Sequence, residues 1–395
     1  RSTVPMAGAN MANSILGAGI LSMPLAMAQA GTGVCAVLLG LCALLTAYST
    51  SLLIRLGDEH NVDSYIKLCH RALGRGGVFT VSSMLCVLTF GMMVTYTIIL
   101  GDVGSGMLGA ALGVPNSVDT LYVRAVVIGA ATAAFLLPLS LVRNLSKLAK
   151  YSFVALASIF YIASYALMHV VHTGVRVRSE DIVWRGTHVL PAFGLITGAY
   201  VCHHNAFDIY KSLRVRTQPQ YRRVSVCAST GALVALSTVA FAGYLSYGPA
   251  VSGDILRNWP HSFGGHLARV AAITVLLFTY PLDAYVLRVN IEEMVQRHSA
   301  TRTPLSRTAS SRLAVALVVA SSLCATALKD SGVVFELFGT ASAITIAYVL
   351  PSLCALALDR APLCSARTIG HLIFFVLGVL TTITGTAAVI ANIAA

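Results

Sequence analysis

The N-terminal stretch of this chain, residues 2–54, contains no Asp, Glu, Lys or Arg, and similar apolar runs follow it to the C-terminus. About 20 apolar residues are enough for one helical crossing of a bilayer. Within lipid, only helices and closed barrels satisfy every backbone polar group, and apolar runs of this length are typical of helices. We therefore predict an all-α polytopic membrane protein.

The composition excludes several other classes of protein. Of the 395 residues, 56% are apolar and only 11% are charged, whereas an average soluble domain has roughly 25% charged residues. This contrast argues against a soluble enzyme, a disordered protein and a secreted disulfide-rich module. The nine cysteines fall mostly inside apolar runs and lack metal-binding spacing, so we interpret them as packing residues.

The apolar runs predict eleven spans and an orientation. The Gly31-Thr32-Gly33 turn divides the first run, and the later runs lie at about 77–101, 121–142, 149–172, 187–210, 223–248, 267–290, 312–328, 332–358 and 369–394. With residue 1 in the cytosol, 20 of the 27 Lys and Arg residues fall on the cytosolic side. Such an excess marks cytosolic loops. We therefore predict a cytosolic N-terminus, an extracytosolic C-terminus and no nucleic-acid partner for the +12 net charge.

Two spans contain residues that interrupt helices. Gly17 and Gly19 lie in the middle of the first span, shortly before Pro24. The sixth span has three such residues followed by a polar cluster: Pro191, Gly194, Gly198 and Cys202-His203-His204-Asn205. Unwound backbone at membrane depth is tolerated only where it is buried or lines a cavity. Close helix packing is the alternative interpretation of the glycines.

Broken helices in matching positions of two halves indicate a transporter site. Spans one and six match if the chain is a single transmembrane domain, residues 1–395, that contains two inverted repeats of five helices. The repeats would cover about 6–172 and 187–358, and an extra helix would follow at about 369–394.

Four segments resemble a known family. In chain order they are Asn13-Ser14-Ile15-Leu16-Gly17-Ala18-Gly19-Ile20-Leu21-Ser22-Met23-Pro24, Leu137-Pro138-Leu139-Ser140-Leu141-Val142-Arg143-Asn144-Leu145, Cys202-His203-His204-Asn205 and Thr279-Tyr280-Pro281-Leu282-Asp283. Together they resemble the amino acid/auxin permease family and, within it, the sodium-coupled neutral amino acid transporters, in particular the subgroup of the eleventh member. The resemblance implies a LeuT-like fold of five plus five inverted helices with one more, and amino acid transport by alternating access.

The resemblance also implies a sodium site. In this family, the helix-one amide that matches Asn13 helps to hold sodium, as does a helix-eight hydroxyl that aligns with Thr274 or, after a slip, with Thr279. Carboxamide and hydroxyl oxygens are hard ligands that suit such a cation. The alternatives are an interhelical hydrogen bond for Asn13 and a bond to its own helix for Thr274.

An amino acid needs donors for its carboxylate and acceptors for its ammonium group, and the ends of broken helices supply both. The predicted substrate contacts lie at the two breaks and on the third span: Gly17, Ala18, Gly19, Gly198, Cys202, His203 and Tyr96. Aromatic packing is the alternative for Tyr96. For the two neighbouring histidines, the alternative is that one is hydrogen-bonded in the interior and the other lies at the cytosolic interface.

Three titratable residues are candidates for carrying a proton. Asp283 and Glu336 are predicted to lie within spans, where acids are functional candidates, and His204 titrates near neutral pH. The alternatives are ion pairs, of Asp283 with Arg288 and of Glu336 with Lys329.

These features predict a secondary active transporter, not an enzyme, that moves neutral amino acids together with sodium. We see no charged cluster that would neutralise a charged substrate side chain. The alternatives are a proton-coupled transporter of an acidic organelle and an amino acid sensor with little flux. We expect a monomer in the lipid bilayer with no cofactor besides the coupling ion, in the plasma membrane or else a vacuolar or lysosomal membrane. Because the chain begins with Arg1, we also expect a segment before it.

Overall fold

The computed structural model describes residues 2–111, 121–142, 152–298, 305–328, 330–359, 362 and 365–394. Within these ranges the chain forms fifteen α-helices joined by short turns, which we number in chain order: α1 Val4–Ile15, α2 Met23–Ala30, α3 Thr32–Glu59, α4 Tyr65–Ala111 with a kink at Gly74, α5 Leu121–Ala131, α6 Leu137–Ser140, α7 Ser152–Thr173, α8 Val189–Tyr200, α9 Ala206–Ser212, α10 Gln218–Tyr247, α11 Phe263–His298, α12 Arg307–Ala327, α13 Ser331–Phe338, α14 Leu350–Leu358 and α15 Ala366–Ala394. The prediction of an all-α polytopic membrane protein is confirmed.

Several of these helices can cross a membrane. In the described ranges, nine helical stretches are long and apolar enough, and the bent pair α1 and α2 makes ten. The predicted sixth span consists of α8 and α9, which have 12 and 7 residues and are each too short to cross alone. The count of eleven spans therefore stays a prediction. The end of the motif at residues 137–145, from residue 143 onward, lies outside the described residues.

The first span is broken where its glycines lie. Helix α1 ends at Ile15, and Gly17 adopts a non-helical conformation with φ −90° and ψ −149°. A short 3-10 turn, Ala18–Ser22, leads into α2, which has Pro24 in its first turn. Proline is accepted there because the first turn of a helix needs no amide donor from it. The two halves are bent by 53°.

The sixth span is broken at the residue that follows α8. Val201 is extended, with φ −69° and ψ 111°. A 3-10 turn over His203–Asn205 then leads into α9. Both interruptions predicted from sequence are therefore present.

The broken helices lie at the centre of the bundle. Helix α10 packs on α1, α2 and α3, and α8 packs on α2, α3 and α13. Residues of the first span that face this centre, such as Met11 and Met27, are fully buried. Helix α15 lies at the periphery, where Leu372, Ile383 and other apolar side chains are at least half exposed. Such an apolar surface is suited to lipid.

Candidate functional site

A cavity of about 450 Å³ lies between the two breaks. Its size is within the usual range of a small-molecule site. Nine of the residues predicted for the site line it: Asn13, Gly17, Ala18, Gly19, Tyr96, Gly198, His204, Thr279 and Asp283. Side chains from α1, α4, α9 and α11 complete the wall. The structure thus brings residues from distant parts of the sequence together around unwound backbone.

The cavity reaches solvent at the end of the bundle that carries the N-terminus. Asp208, whose side chain is 77% exposed, and the partly exposed Ser212 both line this mouth. Ser2 pairs with the chain just beyond α9, because its amide donates to the Ser212 carbonyl at 2.7 Å and its carbonyl accepts from the Arg214 amide at 3.0 Å. The start of the chain and the start of the α9–α10 connection therefore lie beside the opening of the cavity.

The opposite end of the cavity is closed by packing of the two breaks. A Cβ atom at Gly19 would lie 2.8 Å from the Cβ of Ala199 and 3.0 Å from the Cζ of Phe335, so only glycine fits there without a shift. Above this contact, the Ser22 hydroxyl donates to the Gly253 carbonyl at 2.7 Å. The two breaks and the loop at Gly253 are thus in tight contact at this end of the cavity.

The loop that carries Gly253 also buries an acid outside the spans. Asp254 is 1% exposed, and one of its carboxylate oxygens accepts from the Leu256 amide at 2.9 Å. Burial raises the pKa of this carboxyl group to about 7, and the negative charge of Asp102 acts in the same direction. The other carboxylate oxygen has no hydrogen-bond partner among the described residues.

Two of the three residues considered for sodium line the cavity. The Asn13 side-chain oxygen is buried and has no hydrogen-bond partner within the described ranges. Thr279 donates its hydroxyl proton to the Val275 carbonyl at 2.8 Å, which leaves its oxygen lone pairs available. Thr274 does not line the cavity, and its hydroxyl donates to the Val270 carbonyl at 2.8 Å, as in the alternative of a bond to its own helix. The geometry therefore favours Thr279 over Thr274.

Tyr96 stands directly over the first break. Its side chain is buried, and a Cβ atom at Gly17 would lie 3.3 Å from its hydroxyl oxygen. The hydroxyl lies beside the side chains of Asp283 and Thr279, which also line the cavity. The polar end of Tyr96 is thus placed between the unwound backbone and α11.

Asp283 does not form the ion pair that the sequence suggested. Arg288 instead lies 3.8 Å from Glu292 and places its guanidinium 5.4 Å from the ring centroid of Tyr285. Asp283 instead lies beside Tyr96, inside the cavity.

Besides Thr274, three other predicted residues lie away from the cavity. Cys202 and His203 are fully buried, and the His203 Nε2 atom is 2.6 Å from the Ser49 hydroxyl on α3. His204, the next residue, faces the cavity instead. Glu336 accepts a hydrogen bond from the Gln29 side chain and so joins α13 to α2. The Lys329 partner considered for Glu336 lies outside the described residues.

Sequence reasoning did not select several other residues of the wall. Asn10, Ser14, Thr89, Asn205 and Phe335 all line the cavity. The Asn205 amide donates to the Ser14 hydroxyl at 2.5 Å and so joins the two breaks. Ser14 and Asn205 belong to the polar segments from which the two breaks were predicted, so their position in the sequence could have identified them as residues of the wall. Phe335 has no such signal, because its role depends on a contact between distant spans.

Comparison with known proteins identifies the relatives of the chain. The sequence profile of the family described as "Transmembrane amino acid transporter protein" matches residues 1–391. A zebrafish (Danio rerio) protein named "Putative sodium-coupled neutral amino acid transporter 11" is 32% identical over 97% of this chain and 85% of its own length. The human protein of the same name is 27% identical over 93% and 89%. The yeast (Saccharomyces cerevisiae) "Vacuolar amino acid transporter 2" is 26% identical over 89% and 75%. All are named as transporters, not enzymes.

A solved structure shares the fold. It is a substrate-bound, outward-open state of a Na⁺-coupled sialic acid symporter, which matches with a TM-score of 0.57 over 98% of this chain and 90% of that one. The identity is 11%, so the likeness concerns the fold alone. The LeuT-like fold predicted from the sequence is thereby confirmed.

Proposed function

The chain belongs to the transmembrane amino acid transporter family, and from that premise we propose that it is a secondary active transporter of neutral amino acids, driven by sodium. The cavity carries this proposal, because both backbone breaks line it and pack tightly against each other at Gly19. Alternating access requires such a site near the middle of the membrane.

The unwound backbone supplies the contacts for the amino acid itself. Amide groups at the start of the Ala18–Ser22 turn point away from helical partners and suit the substrate carboxylate. Carbonyl groups at the end of α1 suit the ammonium group. Gly17 permits close approach since it has no side chain, and the Tyr96 ring above it closes over the bound substrate.

The rest of the wall favours a neutral side chain. No Lys or Arg occurs among the described residues that line the cavity, so nothing there would pair with an acidic side chain. Leu88, Met92 and Phe335 offer apolar surface. The names of the zebrafish and human relatives agree with this substrate class.

Sodium is the proposed coupling ion, with Asn13 and Thr279 among its ligands. The unpartnered Asn13 oxygen supports this choice, because a buried polar atom is normally satisfied by a partner, and a cation would be one. We further propose that the open end of the cavity faces the cytosol, in line with the distribution of basic residues. Sodium coupling would favour the plasma membrane over an acidic organelle.

Uptake into proteoliposomes tests the proposal. We expect labelled neutral amino acids to accumulate when a sodium gradient is imposed and to equilibrate only when a pH gradient replaces it. Thr279→Ala is expected to raise the sodium concentration for half-maximal uptake, whereas Thr274→Ala serves as a control outside the cavity. Accumulation driven by the pH gradient alone would contradict sodium coupling. Binding without flux under either gradient would favour a sensor.

A further inference from the structure

Asp283 is an acid in the cavity that the proposed sodium site of Asn13 and Thr279 does not yet include. It lies four residues after Thr279 on α11, so the two side chains share one face of the helix. Both line the cavity, and both lie beside Tyr96 from α4, which lines it as well. The three side chains therefore converge beside the break at Gly17.

The charge of Asp283 is not balanced by a basic side chain of the cavity. Among the described residues that line the cavity, the acids are Asp283 and Asp208, and the titratable base is His204. Asp208 lies at the exposed mouth, and Lys211 approaches it at 3.4 Å. The nearby Arg288 is engaged by Glu292 and Tyr285. A cation that enters the cavity would therefore meet an acid that no Lys or Arg of its wall neutralises.

An unpaired carboxylate in the wall of the cavity changes which ions the cavity can bind. Neutral amide and hydroxyl oxygens replace the hydration shell of a cation but do not balance its charge. An anionic ligand adds a Coulomb attraction that is much stronger in a protein cavity than in water. A hydrogen bond donated by the Tyr96 hydroxyl would hold the Asp283 carboxylate in place without neutralising it.

We propose that Asp283 is the anionic ligand of the transported sodium ion, in a site shared with Thr279 and positioned by Tyr96. This inference rests on the proposed function, because it assumes that sodium enters the cavity. It adds a residue from the Tyr-Pro segment of α11 to the pair Asn13 and Thr279. With Asp283 ionised, the site that holds one sodium ion and one zwitterionic substrate has no net charge.

Sodium binding can be measured without transport. The melting temperature of purified protein in detergent is followed while sodium replaces choline at constant ionic strength, since a ligand that binds only the folded protein raises it. In the wild type we expect a saturable rise. In Asp283→Asn, which keeps the shape, the half-saturating sodium concentration should increase by about tenfold or more. The matched control Asp63→Asn, at an exposed acid that does not line the cavity, should stay close to the wild type.

Two further variants keep the test decisive if Asp283→Asn folds poorly. Asp283→Glu preserves the charge and should retain a sodium response. Tyr96→Phe preserves the ring but removes the hydroxyl, and it should weaken sodium binding by a few-fold. Equal sodium titrations in wild type, Asp283→Asn and Tyr96→Phe would overturn the inference.

The outcomes also separate this inference from the proposed function. If a sodium gradient drives wild-type uptake but Asp283→Asn binds sodium normally, only the role of Asp283 is wrong. If Asp283→Asn loses amino acid binding at saturating sodium while its sodium titration is unchanged, the carboxylate binds substrate instead. A wild-type protein that neither binds sodium nor uses its gradient would overturn both proposals.

Discussion

Replacing Gly19 by alanine adds one methyl group at the contact that closes one end of the cavity. The new Cβ atom would lie 2.8 Å from the Ala199 Cβ and 3.0 Å from both the Ala199 Cα and the Phe335 Cζ. Carbon atoms in contact normally lie about 3.5–4.0 Å apart. Relieving this overlap by a shift of neighbouring groups costs about 1–3 kcal/mol, the usual range for an overpacked core.

This free-energy cost destabilises the conformation in which the two breaks are in contact. Alternating access requires the same end of the cavity to open at another stage of the cycle, and Gly19 would then separate from Ala199 and Phe335. The alanine would therefore shift the population away from the present conformation by a factor of about 5 to 150.

The shift can be followed at the cavity mouth. A cysteine placed at the partly exposed Ser212 reports on access to the mouth, in a background where the exposed Cys227 is serine. We expect Gly19→Ala to slow alkylation at residue 212, measured by peptide mass spectrometry, with that factor as the upper limit. Gly8→Ala in α1 is the control, because a Cβ atom there meets nothing within 4 Å. Unchanged alkylation in Gly19→Ala, or equal slowing in Gly8→Ala, would refute the reasoning.

Three further predictions concern other residues. Asn13→Ala should raise the sodium concentration for half-maximal uptake, and the increase should be larger than its loss of thermal stability can explain. Unchanged sodium dependence would remove Asn13 from the site. Gly17→Val should abolish uptake by folded protein, because its side chain would begin 3.3 Å from the Tyr96 hydroxyl; retained uptake would make the break a packing feature. The pKa of Asp254, about 7 when folded, exceeds its ordinary value of 3.8, so the folded state binds more protons between these values and stability should fall as pH rises from about 4 to 7. Melting temperatures across that range should decline in the wild type and change less in Asp254→Asn, whereas parallel curves would contradict this.

The helix interruptions were predictable because their causes are local. Gly17 and Pro24 act on the backbone of their own segment, and both occur where α1 gives way to α2. The polar cluster after Gly198 similarly marked the end of α8. The convergence of the two breaks on one cavity was predictable from the expected symmetry of the two repeats. That prediction did not depend on any individual side-chain contact.

The choice between Thr274 and Thr279 shows why a site residue is harder to place than a break. A helix turns about 100° per residue, so five residues rotate a side chain by about 140° to nearly the opposite face. One slip in an alignment therefore decides whether the hydroxyl faces the cavity. The structure places Thr279 on the cavity wall and Thr274 away from it.

For a related reason, the sequence does not show which of the neighbouring polar residues in the second break faces the cavity. His203 points to Ser49 on α3, while His204 faces the cavity. Which histidine faces which side depends on the dihedral angles at Val201 and Cys202, just after α8. Phe335 and the Gln29–Glu336 hydrogen bond are contacts between distant segments, and no local pattern in the sequence indicates them.

Simultaneous flux of labelled sodium and a labelled neutral amino acid into the same proteoliposomes tests sodium-coupled transport most directly. With the wild-type protein, we predict that each solute accelerates the entry of the other and that the two enter in a fixed ratio. Amino acid entry that carries no sodium, and that responds only to an imposed pH gradient, would contradict it.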